Sequence, residues 1–194
     1  MKIILASKSG VRKKILEDNK IDCEVVVSNV DEDEVKSSLL SEGADPLSIS
    51  KNLAEIKSIK VSNKFPDRIV LGADSVISLN NELINKPKSR EEALKILKKL
   101  NNSKHFLISS VCISKNGAMM WNHTDKSELK MKNLSENHLL NYLAQIKTET
   151  LCAYGVYQVE AEGLELFDYI KGDLNSIMGL PINEIINYIK QISK

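Results

Sequence analysis

Four short segments of this chain place chemically capable side chains beside apolar runs. Ser7, Ser9 and Arg12 follow Ile3-Ile4-Leu5. Lys57 lies within an apolar repeat of helical period, Asp74 follows Gly72-Ala73 after Ile69–Leu71, and Lys86 sits in Asn85-Lys86-Pro87. Val11, Ile15 and Leu16 begin an apolar helix face, so the loop Ser7–Gly10 opens onto a helix start. Helix starts present unpaired N–H groups and the positive end of the dipole. Arg12 and Lys13 in that first turn are unfavourable for the helix itself and make sense if an anion sits there, with phosphate the usual one. Lys57 and Lys86 add cations for phosphate charge. Asp74, turned outward after a glycine, offers a carboxylate for a metal or a water.

Taken singly, each fragment has a plainer reading. Ser7-Lys8-Ser9 is a loop, Asp74 a turn residue and Lys57 a solvated helix lysine. Asp31–Glu34, four acids in a row, is a solvated loop that could hold a metal. Neither Gly-x-x-x-x-Gly-Lys-Ser/Thr nor Gly-x-Gly-x-x-Gly is present. His105, His123 and His138 show no ligand spacing. Tyr154, Tyr157 and Phe167 read as packing residues.

The elements that must position these groups follow from periodicity and turn chemistry. Ile3–Leu5, Cys23–Val27 and Ile69–Leu71 read as strands, the last ending at Gly72-Ala73-Asp74. Asp45-Pro46 starts a helix that runs through Ile49, Leu53 and Ile56 to about Val61. Asn80-Asn81 makes a hairpin between Val76-Ile77 and Leu83-Ile84. Ser89 and Glu92 form a capping box for a helix through Leu100. His105–Ser114 reads as a strand, followed by the turn Asn116-Gly117 and strands through Met119-Trp121 and Leu129–Met131. Ser135 caps a helix with Leu139, Leu143 and Ile146. Val156–Val159 and Leu164–Ile170 read as strands, and a last helix carries Ile182, Ile185, Ile186 and Ile189. The pattern is α/β, a mixed twisted sheet with flanking helices, in one domain over residues 1–194.

A formal net charge of +1, from 27 basic and 26 acidic side chains, argues against a dedicated nucleic-acid binder. Cys23, Cys112 and Cys152 are far apart, with no Cys-x-x-Cys pair, which suits a reducing cytoplasm. No apolar run approaches the ~18 residues of a membrane span, and Ser7–Lys14 is too polar for a signal-peptide core.

In combination, the segments resemble the Maf family of nucleotide pyrophosphatases nearly end to end. The resemblance rests on Leu5-Ala6-Ser7-Lys8-Ser9 with Arg12, Val30-Asp31-Glu32, Leu53-Ala54 with Lys57, and Leu71-Gly72-Ala73-Asp74. It continues through Lys86-Pro87, Leu134-Ser135, Tyr142, Tyr157-Gln158-Val159-Glu160, Gly172-Asp173 and Gly179-Leu180-Pro181. It implies a fold of two lobes around a central cleft, of the Maf and ITPase type, and a homodimer. It also implies hydrolysis of nucleoside triphosphates to monophosphate and pyrophosphate, dependent on Mg²⁺ or Mn²⁺. By the resemblance Asp74 is the catalytic carboxylate, with Lys57 and Lys86 beside it, and Asp74 and Glu32 are the metal-side acids. Ser7, Ser9 and Arg12 lie against the phosphates.

The same resemblance places Val11, Ser75 and Glu160 where the family branches differ. The dTTP/UTP branch carries arginine, threonine and glutamine there, and the 7-methyl-GTP branch tryptophan, glutamine and glutamate. Only Glu160 agrees with either, and it agrees with the second; Ala161 stands where a glycine is common. The expected activity is therefore a house-cleaning pyrophosphatase acting on modified guanine nucleotides such as 7-methyl-GTP. The alternatives are a dTTP/UTP pyrophosphatase and a non-enzymatic nucleotide-binding or division-regulating protein. Asp74, Lys57 and Lys86 together favour the enzyme.

Overall fold

The computed structural model describes residues 2–159 and 162–192, so Glu160 and Ala161 lie outside the described residues. Strand β1 (Ile3–Leu5) is apolar throughout because both faces are covered. Ile3 and Leu5 pack with Ile15, Leu16 and Ile185, while Ile4 and Ala6 pack on the opposite face with Val61 and Val70. This is the period-two alternation of a strand. β1 lies parallel to β2 (Cys23–Val25) on one side and to the start of β3 (Val70–Leu79) on the other.

β3 is longer than the sequence suggests. Ile69–Leu71 was expected to end at Gly72-Ala73-Asp74, yet the strand continues to Leu79, with Asp74 in its middle. An unbroken antiparallel register with β5 (Lys104–Lys115) carries it, running from Val70↔Ser114 to Ser78↔Phe106. The other edge of β3 is divided. Val70 and Leu71 pair with β1, and Ile77–Leu79 pair with β4 (Glu82–Ile84). Asn80 and Asn81 close that hairpin with φ of 51° and 65°, the left-handed pair of a type I′ turn. Between the two pairings, around Asp74, the sheet opens. β6 (Ala118–Met131) and β7 (Phe167–Lys171) complete a mixed seven-stranded sheet of order β2-β1-β3-β5-β6-β7, with β4 beside β3.

Among the described residues eight helices flank the sheet. Ser9 caps α1 (Gly10–Asp18), and Asp45 caps α3 (Pro46–Ser62) with Pro46 in its first turn. The acids of 31–34 do not form a loop. Asp31 caps α2 (Glu32–Ser41) by accepting from Glu34 N–H at 3.0 Å, and three acids fill the first turn, where they complement the dipole. α4 (Arg90–Leu100) is capped by Ser89, whose Oγ accepts from Glu92 N–H, while the Glu92 carboxylate takes the Lys88 N–H instead of closing a full capping box. Ser135 caps α5 (Glu136–Ala144).

Two stretches of the second half depart from expectation. α6 (Thr148–Tyr154) was not foreseen, and Val156–Val159 is irregular, not a strand. Val156, Tyr157 and Val159 are buried, so the apolar spacing there reports a loop packed into the core. Of Leu164–Ile170, the front is a 3₁₀ turn (Glu162–Leu166) and only β7 is strand. Short α7 (Leu174–Ile177) leads through Gly179 to α8 (Ile182–Ile192). One core lies under α1 and α8, and a larger one under α4, α5 and α6. The cleft runs between them.

Candidate active site

The cleft has a volume of about 470 Å³ and opens where β3 lacks a strand partner. Ser7, Ser9, Val11, Arg12, Glu32, Lys57, Asp74, Ser75 and Lys86 all line it. Of the expected site residues, only Glu160 cannot be placed, because it lies outside the described residues. Val76, Ile77, Ile84 and Leu107 add apolar side chains to its lining.

Asp74 and Lys57 are brought together by a glycine. Val70, Gly72 and Asp74 share the face of β3 that meets α3. A Cβ on Gly72 would stand 2.2 Å from the Ala54 carbonyl oxygen and 2.7 Å from Ser58 N. The missing side chain lets α3 lie against the strand, and Lys57, on the same helical turn, reaches Asp74 Oδ1 at 2.7 Å. Lys57 Nζ also contacts Glu32 Oε1 at 2.8 Å. Lys57 is only 5% exposed and Asp74 4%. A charge held this far from water needs a partner, and Lys57 has two. Lys57 is therefore not the solvated helix lysine of the plainer reading.

The second oxygen, Asp74 Oδ2, is buried with no hydrogen-bond partner among the described residues. An ionised carboxylate oxygen without a donor is costly, so this atom is the unfilled valence of the site. For Glu32, burial raises the pKa, but the charge and hydrogen bond of Lys57, with Lys86 and Lys36 behind them, outweigh it, and the net shift is downward.

Arg12 does more structural work than its sequence position suggested. Its guanidinium donates to the Gly179 carbonyl (2.9 Å), the Ala73 carbonyl (3.0 Å), Ser75 Oγ (3.1 Å) and Ser7 Oγ (3.3 Å). The Ala73 carbonyl belongs to the unpaired edge of β3, so Arg12 replaces a strand there and ties α1, β3 and the α7–α8 turn together. Burial lowers its pKa, against the charges of Asp74 and Glu32, which raise it. Ser7 Oγ also accepts from Ser9 N–H at 3.2 Å, and Ser9 Oγ from Arg12 N–H at 3.3 Å. Ser75 Oγ is paired with Ser109 Oγ at 2.9 Å.

Lys86 is exposed at the cleft mouth, and its ammonium donates to the Ala153 carbonyl at 2.9 Å. Desolvation at the cleft mouth and then the Arg12 charge lower its pKa, although Glu32 and Asp74 pull the other way. A lysine so placed gains from an incoming anion.

The supports of this site carry no local signal in the sequence. Arg90 binds the α5 C-terminus through the Leu143 and Ile146 carbonyls and Thr148 Oγ1, which anchors the start of α6. His105, fully buried, bonds through Nε2 to Tyr157 Oη at 3.0 Å. Tyr157 and Phe167 are core residues as expected, but Tyr154 is 46% exposed on the rim of the cleft. The three cysteines are free. Among the described residues no three of His, Cys, Asp and Glu gather as a metal cluster, and no helix is long and apolar enough to cross a membrane.

A seven-stranded mixed sheet, open along one edge of β3, with a buried lysine between two carboxylates at the opening, defines a polar α/β cleft. Residues 2–192 match the Maf family (Maf-like protein), and the chain belongs to it. A relative from Pelagibacter ubique (strain HTCC1062), named nucleoside triphosphate pyrophosphatase, is 60% identical over 98% of this chain and 97% of its own. A 7-methyl-GTP pyrophosphatase of Rhizobium etli (strain ATCC 51251 / DSM 11541 / JCM 21823 / NBRC 15573 / CFN 42) is 33% identical over 98% of this chain and 96% of its own. A solved HAM1 protein from Coxiella burnetii overlaps with a TM-score of 0.45 and 14% identity, over 69% of this chain and 74% of that one.

Proposed function

We propose that the protein is a nucleoside triphosphate pyrophosphatase that releases monophosphate and pyrophosphate, with Asp74 as its general base. The observation that carries this reading is the unpartnered Asp74 Oδ2 at the floor of a cation-lined cleft. Full-length relatives bearing that name support the coarse activity. The phosphate chain lies over the start of α1, where Ser7, Ser9 and first-turn amides can donate, and Lys86 swings from the Ala153 carbonyl onto a phosphate oxygen. Lys57 holds Asp74 Oδ1 and fixes the carboxylate, leaving Oδ2 to take a proton from water. The water oxygen bonds to the α-phosphorus, the bridging P–O bond breaks, and the electron pair leaves with pyrophosphate, whose charge the cations meet. Arg12 braces the open edge of β3 and sets the positions of Ser7 and Ser75.

Two carboxylates and a phosphate chain are a common ligand set for Mg²⁺ or Mn²⁺. Asp74 Oδ2, which keeps a second lone pair beside the one that takes the proton, and the half-exposed Glu32 fit such an ion. Asp74 and Glu32 would hold it, and it would supply positive charge to the phosphates when bound. The three free cysteines suit a reducing cytoplasm, and the family resemblance implies a homodimer as the working unit.

For the substrate, we infer a preference for guanine-type triphosphates, 7-methyl-GTP among them. Glu160 carries this choice. An ionised carboxylate only accepts hydrogen bonds, and guanine offers N1–H and N2–H₂ on one edge. Thymine and uracil would leave it facing acceptors, which costs a few kcal/mol. The test is kcat/KM for 7-methyl-GTP against dTTP. The ratio favours 7-methyl-GTP in the parent protein and narrows in Glu160→Gln. A parent ratio favouring dTTP overturns the preference and leaves the pyrophosphatase reading standing.

A further inference from the structure

We propose that Tyr154 is a further substrate-contacting residue, whose phenol hydroxyl donates to the phosphate chain; the proposal rests on the pyrophosphatase reading of the cleft. Tyr154 is the last residue of α6, lines the cleft and is 46% exposed, whereas Tyr157 and Phe167 three and thirteen positions on are buried. An exposed ring on a cleft rim is available to a ligand.

Its reach decides which part of the ligand. The Tyr154 hydroxyl lies 3.9 Å from the place a Cβ on Gly10 would take. Gly10 is the first residue of α1, and the loop before it carries Ser7 and Ser9. The side chain therefore spans from the end of α6 to the start of α1, beside the loop that carries Ser7 and Ser9. A neutral phenol donates one hydrogen bond, and phosphate oxygens accept it with charge assistance.

The chain around Tyr154 is held without Lys86, which leaves the Ala153 carbonyl for the phosphate. Gly155 N–H donates to the Leu151 carbonyl at 2.9 Å, and Tyr157 Oη is bonded to His105. Gly155, at φ 108°, makes the turn between them, a conformation side-chain-bearing residues rarely adopt. These anchors fix where α6 ends, so the ring is presented to the cleft mouth rather than left on a loose loop. Tyr154 thus joins Lys86 as a contact that the α6 side of the cleft makes to the anion.

The experiment measures binding of inorganic pyrophosphate and of GMP by calorimetry, in Mg²⁺ buffer, for the parent protein, Tyr154→Phe and Tyr154→Ala. Because the ring is exposed, the melting temperature of Tyr154→Phe checks that the fold is kept. The expected result is about a tenfold loss of pyrophosphate affinity in Tyr154→Phe, the size of one charge-assisted hydrogen bond, with a smaller or no loss for GMP. Tyr154→Ala matches Tyr154→Phe for pyrophosphate. Unchanged pyrophosphate binding in Tyr154→Phe, absence of pyrophosphate binding in the parent protein, or a larger loss for GMP than for pyrophosphate overturns the proposal. A loss confined to Tyr154→Ala does so too, because it assigns the ring to stacking. Pyrophosphate release from triphosphates by the parent protein is measured alongside. Its absence defeats the pyrophosphatase reading, whereas its presence with unchanged binding in Tyr154→Phe defeats the Tyr154 contact alone.

Discussion

The two lobes keep polar groups out of water by opposite means. At the split in the sheet, Lys57 is buried as a charge and is held by Glu32 and Asp74. In the larger core, His105 is buried as a neutral ring, its pKa pushed down to about 4 by burial, with a Tyr157 hydroxyl as partner. A buried charge demands a countercharge and leaves surplus valence for a ligand, as Asp74 Oδ2 does. A buried neutral ring demands only a hydrogen bond and serves packing. The first arrangement responds to anions and cations, and the second to pH.

The largest effect expected from breaking the charged arrangement is in Asp74→Asn, which keeps the shape and removes the charge. Turnover falls by about 100-fold or more, the usual scale of a general base with electrostatic support. Steady-state hydrolysis of a triphosphate measures it, and near-normal turnover in a folded variant removes Asp74 from the chemistry.

Gly72→Ala tests the same arrangement from behind. Its Cβ meets the backbone of Ala54 and Ser58, so α3 must move and carry Lys57 from Asp74. Overpacking of this kind costs about 1–3 kcal/mol, which lowers the melting temperature of a chain this size by roughly 3–10 °C. Hydrolysis falls at least about tenfold with it. A variant that melts lower yet hydrolyses normally separates helix packing from the site.

The neutral arrangement is read out by acid. His105 titrates near 6.5 in the unfolded chain and about 4 in the folded one. Between these values the unfolded chain holds the extra proton, so stability present above pH ~6.5 is lost as the pH falls toward 4. The loss is about 3 kcal/mol at ~1.4 kcal/mol per unit. Denaturant melts of the parent protein and His105→Gln across this range measure it, and an equal slope in both contradicts the assignment.

The smallest effect belongs to Lys86. Its lowered pKa means that its charge is lost at a lower pH than that of an ordinary lysine. KM for triphosphates therefore rises as the pH rises through that lowered value. Lys86→Arg, which stays protonated, flattens the rise; an unchanged profile assigns the alkaline limb to another group.

Several elements around the cleft were legible because their signals are local. Ser9 caps the helix it precedes, Asp45-Pro46 starts α3, and Asn80-Asn81 closes the hairpin, each through neighbours within a few residues. Asp74 was legible as a polar residue turned toward a cleft but not as mid-strand. The cause is physical: the strand ends on one edge only, and no sequence signal distinguishes one edge of a strand from the other. The brace role of Arg12 depends on partners 61, 63 and 167 positions away, which spacing does not reveal. Val156–Val159 reads as a strand from its β-forming apolar residues, but burial, not pairing, selects those side chains. α2 was missed because its half-exposed and exposed residues give no clean apolar stripe, although Asp31 and the following acids were a start signal.

The central claim is that the cleft cleaves between the α and β phosphates with Asp74 as base. Phosphorus NMR of the products from a panel of nucleoside triphosphates, with Mg²⁺ and with Mn²⁺, tests it most directly. The account predicts monophosphate and pyrophosphate in equal amounts from the parent protein and neither above background from Asp74→Asn. Diphosphate with inorganic phosphate, or no turnover of any nucleotide, would contradict it.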